Sequence, residues 1–117
     1  MTSYLAVYEN STASADLQLQ ALYKIGRCFE KMGKVEEGFE HYMKVVYQYF
    51  SAWEQGDRVD AFWFTRASFS AAAMMEAQER WRDAVRIYRR VETAGVLAAE
   101  EAGKRIQRIR LDHWILF

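Results

Sequence analysis

Residues 22–50, LYKIGRCFEKMGKVEEGFEHYMKVVYQYF, decide the fold of this chain. Gly33 divides the stretch, because a residue without a Cβ accepts the left-handed backbone that commonly ends a helix. Lys31 suits the negative end of a helix dipole, and Glu36 falls in the first turn of the next helix, where acids are favoured. The stretch therefore predicts two antiparallel helices joined by a short turn.

Apolar residues on both sides of Gly33 recur in steps of three and four, as one face of a helix requires. They are Leu22, Ile25 and Phe29 on the first helix and Val35, Phe39, Tyr42, Val46, Tyr49 and Trp53 on the second. Gly26 interrupts the first stripe, and its missing side chain allows two helices to approach closely. Two helices alone cannot bury these faces, so the remaining chain is expected to supply neighbours.

The spacing in this hairpin resembles the tetratricopeptide repeat, whose pattern is W-x2-L-G-x2-Y followed by a small residue and an aromatic. The corresponding residues are Leu22-x2-Ile25-Gly26-x2-Phe29 and then Gly38-x3-Tyr42-x2-Val45. Leu22 replaces the usual tryptophan, and Phe50 stands where proline usually ends the second helix. Residues 14–26 are also similar to the bacterial cell-envelope branch of that family, whose helices are often long.

A second copy of the same design follows at a shift of 46 residues. The shift carries Gly38, Tyr42 and Val45 onto Ala84, Tyr88 and Val91, and it carries Ile25, Gly26 and Phe29 onto Ala71, Ala72 and Met75. The ordinary period is about 34 residues, so the intervening helices are expected to be longer than usual. We predict a single domain with repeat one at 15–53, repeat two at 58–94 and a capping helix at 96–111.

The composition also favours helices, since the chain has no proline and six glycines among 117 residues. Ser14 is the predicted N-cap of a first helix that ends near Met32, and Gly56 and Asp57 are the predicted turn and N-cap before a third helix at 58–78. The predicted inward residues of the last two helices are Trp81, Ala84, Val85, Tyr88 and Val91, then Leu97, Ala102, Ile106 and Ile109. The resemblance implies an all-α fold in which about five helices stack as antiparallel hairpins in a short right-handed superhelix.

The sequence contains no catalytic constellation, and we predict a non-enzymatic chain with no cofactor and no metal. Cys28 is the one cysteine, which excludes an internal disulfide, and it is interpreted as a small packed residue. His41 follows Glu37 by one helical turn and is interpreted as half of a surface pair, because a metal site needs three or four ligands. No signal peptide or membrane-spanning run is present, which predicts a cytoplasmic chain, or a periplasmic one if the sequence is a fragment of an envelope protein.

The resemblance implies a preformed concave groove that holds a peptide or helix of a protein partner, lined by the first helix of each hairpin. The predicted lining residues are Gln20, Tyr23, Lys24, Arg27, Glu30 and Lys31 from the first repeat and Arg66, Phe69, Ser70 and Ala73 from the second. Aromatic and basic side chains mixed with small residues suit such a groove. Tyr23 and Phe69 fit a purely structural role in the core equally well.

Two other functions are consistent with the sequence. One is self-assembly, in which Trp53, Trp63 or the terminal Trp114, Ile115, Leu116 and Phe117 bury against another copy; the alternative for the terminal residues is that they fold back. The other is nucleic-acid binding through Arg86, Arg89, Arg90, Arg105 and Arg108, because residues 80–110 hold nine basic and four acidic side chains. These arginines are expected on several faces, which favours a solvated surface over a phosphate-binding one.

Overall fold

The computed structural model describes residues 14–116, apart from the side chain of Leu116. In this range the chain forms five α-helices and a short 3-10 helix, with no strand. Their bounds are α1 Ala15–Lys31, α2 Val35–Glu54, α3 Phe62–Ala77, α4 Trp81–Ala94, α5 Ala99–Asp112 and the 3-10 helix Trp114–Leu116. The all-α prediction is confirmed. Among these described helices, none is long and apolar enough to cross a membrane.

The chain divides into two compact units, Met1–Ala67 and Ser68–Phe117, and the division falls inside α3. In the first unit, α1 packs along α2, and the start of α3 closes the core. The ring of Tyr49 stacks on that of Phe64 with the centroids 4.3 Å apart. The largest fully buried side chains of this unit are Leu19, Leu22, Ile25, Tyr42, Val45, Val46 and Phe64.

In the second unit, α4 packs along α5, and the end of α3 contacts α4 through Phe69 and Tyr88, whose ring centroids are 5.5 Å apart. Its largest fully buried side chains are Tyr88, Ile109, Val91 and Ser68. The inward positions predicted for α4 are confirmed for Ala84, Val85, Tyr88 and Val91. Trp81 is half-buried, and its ring stacks on that of His113 at 3.9 Å.

The first cap prediction is confirmed and the second is wrong. Ser14 Oγ accepts a hydrogen bond from the Leu17 N–H at 3.3 Å. Asp57 does not cap α3, because the chain stays irregular for several more residues and the helix begins at Phe62. Asp60 takes that role: its Oδ1 accepts the Phe62 N–H at 2.8 Å, and its own N–H donates to Asp16 Oδ1 at 3.1 Å.

Leu97 was predicted to point inward, and it is fully exposed. Gly95 adopts a φ of 66° and ends α4, and the next helix begins at Ala99 rather than at Val96. Leu97 therefore lies in the connecting turn and does not share the inward face of α5. Ala102, Ile106 and Ile109 are buried as predicted.

The last residues fold back in part. His113 stacks on Trp81, whereas Trp114 and Ile115 are 71% and 79% exposed. Phe117 lies outside the described residues. Self-assembly through the terminal residues stays a prediction.

The sequence analysis expected the arginines on several faces, but those of α4 lie on one face of the helix. Arg82, Arg86, Arg89 and Arg90 are all exposed, and they recur at i, i+4, i+7 and i+8. The opposite side of the helix holds its buried residues: Ala84, Val85, Ile87, Tyr88 and Val91. The amphipathic pattern of α4 therefore gathers these four cations into one stripe.

Candidate functional site

The two hairpins, α1–α2 and α3–α4, are each closed by the same hydrogen bond. The Tyr42 hydroxyl donates to Glu30 Oε1, and the Tyr88 hydroxyl donates to Glu76 Oε2, both at 2.6 Å. Both tyrosine side chains are fully buried, and each bond joins residues 12 positions apart. A short bond to a carboxylate is stronger than one between neutral groups, so it fixes each second helix against the first.

The turns of the two hairpins also share one backbone geometry. Gly33 and Glu79, which correspond at the shift of 46, have φ of 77° and 59°. The next N–H groups, of Lys34 and Arg80, donate to the carbonyls of Phe29 and Met75 at 2.9 and 2.8 Å. These bonds satisfy carbonyls that the end of a helix would otherwise leave without a donor.

One face of the first unit combines cations with aromatic rings, and we name it the cation–aromatic patch. Its members are Tyr23, Lys24 and Arg27 of α1 and Phe62, Trp63 and Arg66 of α3. The Arg66 guanidinium lies 5.4 Å from the Tyr23 ring centroid and 5.3 Å from that of Phe62. Lys24 Nζ lies 5.7 Å from the Trp63 centroid. These distances are within the range of favourable cation–π contacts.

Tyr23 is the buried residue of the patch and contacts two of its cations. Its side chain is buried, and its hydroxyl accepts hydrogen bonds from Arg27 Nη1 at 3.4 Å and Arg66 Nε at 3.3 Å. Burial raises the pKa of Tyr23, but the hydrogen bonds and charges of the two arginines outweigh it, and the net pKa is lowered. The hydroxyl therefore acts as an acceptor that holds both guanidinium groups in place.

The other five residues of the patch are at least partly exposed to solvent. Phe62 is 50% exposed, Arg66 is exposed, and Lys24, Arg27 and Trp63 are half-buried. Within residues 14–116, none of the three cations forms a salt bridge with a carboxylate. The patch thus presents positive charge beside exposed aromatic surface.

The structure brings four of the ten predicted groove residues together: Tyr23, Lys24, Arg27 and Arg66. Of the other three in the first unit, Gln20 is half-buried, Glu30 accepts from Tyr42 and interacts electrostatically with Arg27, and Lys31 is exposed at the helix end. Phe62 was not predicted as a site residue, and Trp63 was considered only for self-assembly. The spacing of Phe62 and Arg66, one helical turn apart, is the signal that could have identified them.

The remaining predicted groove residues belong to the second unit. Ser70 is half-buried, Ala73 is exposed, and Phe69 is half-buried beneath the Arg105 guanidinium, 4.7 Å from its ring centroid. Phe69 is therefore covered by its own chain. Arg105 also donates to the Tyr88 hydroxyl at 3.4 Å and to Glu101 at 3.1 Å.

Two of the arginines considered for nucleic-acid binding have structural roles in the second unit. Arg105 is held by Tyr88 and Glu101, and Arg108 Nη2 forms a salt bridge with Glu76 Oε1 at 3.2 Å. Glu76 thus accepts from both Tyr88 and Arg108. Burial and the Glu76 hydrogen bond raise the pKa of Tyr88 against the opposing effect of Arg105.

No metal-binding group is assembled in the described part of the chain, where no three His, Cys, Asp or Glu side chains converge. His41 Nδ1 lies 2.9 Å from the Glu37 carbonyl oxygen, which is a contact with the backbone and not the predicted pair of side chains. Cys28 is half-buried and has no disulfide partner.

Two helical hairpins with the same tyrosine–glutamate bond and the same left-handed turn give the chain an all-helical repeat architecture. The family model of the tetratricopeptide repeat matches residues 20–49, which lie in α1, the turn and α2. This match supports a tetratricopeptide repeat in the first hairpin, as the motif indicated. Repeats of this family generally act as protein–protein interaction modules. Neither the curated proteins nor the solved structures gave a match.

Proposed function

We propose that this chain is a non-enzymatic interaction module that binds an acidic segment of a partner protein on the cation–aromatic patch. The observation that carries the proposal is three cations, Lys24, Arg27 and Arg66, that lie around the rings of Tyr23, Trp63 and the exposed Phe62 and form no salt bridge among residues 14–116. A carboxylate from a partner would complete these interactions. The family supports the general role, and the patch supplies the chemistry.

The composition of the patch fits a binding centre better than a solvated surface. Arginine and aromatic residues supply most binding energy in protein interfaces, and they act best where neighbouring groups exclude water. Arg66 is preorganised, because the Tyr23 hydroxyl and two rings fix its guanidinium before any partner arrives. A preorganised side chain loses less entropy on binding.

We also propose that residues 58–94 form a second repeat and that residues 96–111 cap it. The shift of 46 residues, the equal Tyr–Glu bonds and the equal turns support the repeat, and the exposed charged residues of α5 support the cap. Phe69, Ser70 and Ala73 are assigned to this second repeat. They are not part of the cation–aromatic patch.

The test is a peptide array in which the content of acidic and aromatic residues is varied independently. We expect acidic peptides to bind, and Arg66→Ala and Lys24→Ala each to weaken their binding about tenfold, the usual effect of removing one important charged contact. Arg58→Ala is the matched control, because Arg58 is also exposed and lies over an aromatic ring, 5.2 Å from the Trp53 centroid, but outside the patch.

The circular-dichroism spectrum of each variant establishes that its helices are intact. Equal loss of binding in the Arg58→Ala control would show that the effect is general electrostatics and not the patch. Binding of neutral or basic peptides in preference to acidic ones would contradict the proposal directly.

A further inference from the structure

Two guanidinium groups of the cation–aromatic patch meet at a single oxygen atom. Arg27 Nη1 lies 3.4 Å and Arg66 Nε lies 3.3 Å from the Tyr23 hydroxyl oxygen. Like charges repel, so two guanidinium groups this close together need a compensating negative charge. A protonated hydroxyl accepts their hydrogen bonds but does not supply that charge. The pair is therefore a point on the surface where an anion is favoured.

Both arginines keep hydrogen-bond donors for such an anion. A guanidinium has five N–H donors in a planar fork, and the Tyr23 hydroxyl accepts one from each arginine. Arg66 uses its Nε for this bond, which leaves its two Nη groups for another acceptor. Arg66 is exposed and Arg27 is half-buried, so solvent reaches both.

The charge of the patch is balanced only in part by the chain. Glu30 interacts electrostatically with Arg27, and its Oε1 also accepts the Tyr42 hydroxyl at 2.6 Å. Lys24 adds a third cation, with Nζ 5.7 Å from the Trp63 ring centroid. Three cations and one nearby carboxylate leave an excess of two positive charges at this place on the first unit.

We propose that the acidic group bound by the cation–aromatic patch is the phosphate of a phosphorylated side chain in the partner protein. This inference rests on the proposed function and names its ligand. A phosphate monoester carries about −1.5 to −2 charges at neutral pH and three acceptor oxygens, so one group matches the excess charge of the patch. Arginine forks also bind phosphate in a bidentate manner. A carboxylate has one charge and two oxygens, and it can balance only one of the two arginines.

Nucleic acid matches the patch less well than a phosphorylated side chain does. Each phosphate of a nucleic acid is a diester with a single charge, and tight binding needs a row of cations that follows the backbone. The patch instead concentrates its charge where Arg27 and Arg66 meet. The rings of Tyr23 and Phe62, 5.4 and 5.3 Å from the Arg66 guanidinium, hold that group in place for one doubly charged ligand.

The test is fluorescence anisotropy with four peptides of one acidic sequence, which carry serine, glutamate, phosphoserine or phosphotyrosine at the same central position. We expect both phosphorylated peptides to bind about tenfold more tightly than the glutamate peptide, because each adds a charge and an acceptor oxygen. The serine peptide should bind most weakly.

A second measurement uses the proton that a phosphate monoester takes up near pH 6. Between about pH 7.5 and about pH 5 most of the dianion becomes a monoanion, so the tenfold preference over glutamate should largely disappear. The glutamate side chain stays mostly ionised in this range. Its peptide therefore reports any change in the protein itself, including protonation of His41 or His113.

The double variant Arg27→Lys with Arg66→Lys keeps both charges and removes the paired N–H donors. We expect it to lose most of the preference for phosphate over glutamate, because an ammonium group binds phosphate as a point charge. Arg58→Lys is the matched control, since Arg58 also lies over a ring but outside the patch, and it should keep the preference. Circular dichroism establishes that each variant is folded.

The outcomes separate this inference from the proposed function. Equal binding of the phosphorylated and glutamate peptides would overturn the phosphate assignment and leave the binding of acidic segments intact, whereas binding of no charged peptide would overturn both. A preference that persists at about pH 5, or in the double lysine variant, would show that the dianion and the paired guanidinium groups do not cause it. Tighter binding of a single-stranded oligonucleotide than of either phosphorylated peptide at the same salt concentration would assign the patch to nucleic acid.

Discussion

Hairpin α1–α2 has Gly26 against the ring of Tyr42, whereas hairpin α3–α4 has Ala72 at the corresponding position of the sequence. Hairpin α1–α2 turns at a glycine, Gly33, and hairpin α3–α4 makes the same turn with Glu79. Both nevertheless form the Tyr–Glu bond at 2.6 Å. The comparison shows that this bond and the backbone of the turn are the constant part of the design, and that the packing beneath them varies.

The two hairpins also differ in which tyrosine accepts a hydrogen bond from the arginine that covers the first helix, and the hydroxyl of Tyr23 explains the difference. In the first hairpin, Arg66 of α3 donates to Tyr23. The second hairpin has Phe69 at that position, which offers no acceptor, and Arg105 of α5 donates to Tyr88 instead. In each case the guanidinium covers the aromatic ring of the first helix, at 5.4 Å in one and 4.7 Å in the other. An arginine therefore covers the corresponding ring, Tyr23 or Phe69, in both hairpins, but its hydrogen bond goes to Tyr23 in the first hairpin and to Tyr88 in the second.

The largest expected effect comes from giving the first hairpin the alanine of the second. A Cβ on Gly26 would lie 2.9 Å from Tyr42 Cδ1 and 3.2 Å from the Gly38 carbonyl oxygen. Because Tyr42 is buried and held by Glu30, it cannot move aside without losing that bond. We expect Gly26→Ala to lower the free energy of unfolding by about 1–3 kcal/mol in urea titrations, in spite of the better helix propensity of alanine.

The reciprocal change, Ala72→Gly, is the matched control in the second hairpin. It should cost about 1 kcal/mol through helix propensity and a small loss of packing, without strain. If Gly26→Ala were neutral or stabilising, the close approach in the first hairpin would not be a real difference between the two.

The next effect tests the bond that the two hairpins share. Tyr88→Phe removes a hydroxyl that donates to Glu76 and accepts from Arg105, whereas Tyr42→Phe removes a single bond to Glu30. Bonds to charged groups contribute more than neutral ones, so we expect losses of about 1–2 kcal/mol for Tyr88→Phe and about 1 kcal/mol for Tyr42→Phe. Chemical denaturation measures both, and the double variant should lose roughly the sum of the two.

A larger loss for Tyr42→Phe than for Tyr88→Phe would mean that Arg105 contributes nothing through the hydroxyl. Replacement of Arg105 itself distinguishes the cases, because Arg105→Met keeps apolar contact with Phe69 and removes the bond to Tyr88. Its effect should become smaller in the Tyr88→Phe background by the contribution of that bond, and what remains is the loss of the salt bridge with Glu101 and of the cation–π contact with Phe69.

At alkaline pH, Tyr42 and Tyr88 are expected to affect the stability of the protein in one direction and Tyr23 in the other. Burial and a carboxylate acceptor raise the pKa of Tyr42 and Tyr88, so the folded protein keeps these protons above pH 10, where unfolded tyrosine ionises. Their contribution is complete below about pH 10 and is lost above it, by about 1.4 kcal/mol per pH unit for each tyrosine. The lowered pKa of Tyr23 acts in the other direction, because ionisation beside two arginines favours the folded state as pH rises toward 10.

Unfolding titrations at several alkaline pH values test this contrast, together with tyrosinate absorbance of the folded protein. We expect the double variant Tyr42→Phe with Tyr88→Phe to lose less stability than the wild type as the pH rises above about 10. Tyr23→Phe should remove the tyrosinate absorbance that develops at the lowest pH. If all three titrated together with free tyrosine, the hydrogen bonds assigned to them would be wrong.

A buried hydroxyl distinguishes the second hairpin from the first at one more position. Ser68 is fully buried and, among the residues the structure describes, its Oγ has no hydrogen-bond partner; Leu22 stands at the corresponding place. An unsatisfied buried hydroxyl is destabilising, and alanine is the better helix former. We expect Ser68→Ala to raise the free energy of unfolding by about 1 kcal/mol, with Ser70→Ala, a half-buried neighbour, as the control that isolates the burial term.

Much of this architecture was accessible from residue spacing. The apolar stripes, Gly33 and the shift of 46 residues predicted the helices of both hairpins, because helix periodicity and glycine turns depend on neighbouring residues alone. The start of α3 was missed because Asp57 and Asp60 are both plausible caps, and the choice between them depends on the contact of Asp60 with distant Asp16. Leu97 was misassigned because apolar character alone does not locate the end of a turn.

The candidate site was predicted less completely, and the reason is tertiary. Tyr23, Lys24 and Arg27 share one helix, so their proximity followed from spacing, whereas Phe62 and Trp63 join them only through the packing of α3 on α1. The cover of Phe69 by Arg105 is likewise a contact between residues 36 positions apart. Such long-range contacts leave no periodic signal.

The smallest expected effect concerns the turns. Both Gly33 and Glu79 adopt left-handed backbone, which costs a residue with a side chain about 1–2 kcal/mol, while glycine loses more entropy on folding. Glu79→Gly should therefore stabilise the chain by about 0.5–1 kcal/mol, and Gly33→Ala should destabilise it by a similar amount. Because both residues are exposed and a Cβ on Gly33 would meet no atom within 4 Å, packing does not contribute to either change. Thermal unfolding of the two variants measures this effect, with Glu79→Ala as the control. Alanine removes the charge of Glu79 but keeps the strain of its left-handed backbone. If alanine stabilised the chain as much as glycine does, the charge of Glu79, and not the left-handed turn, would be the difference between the two hairpins.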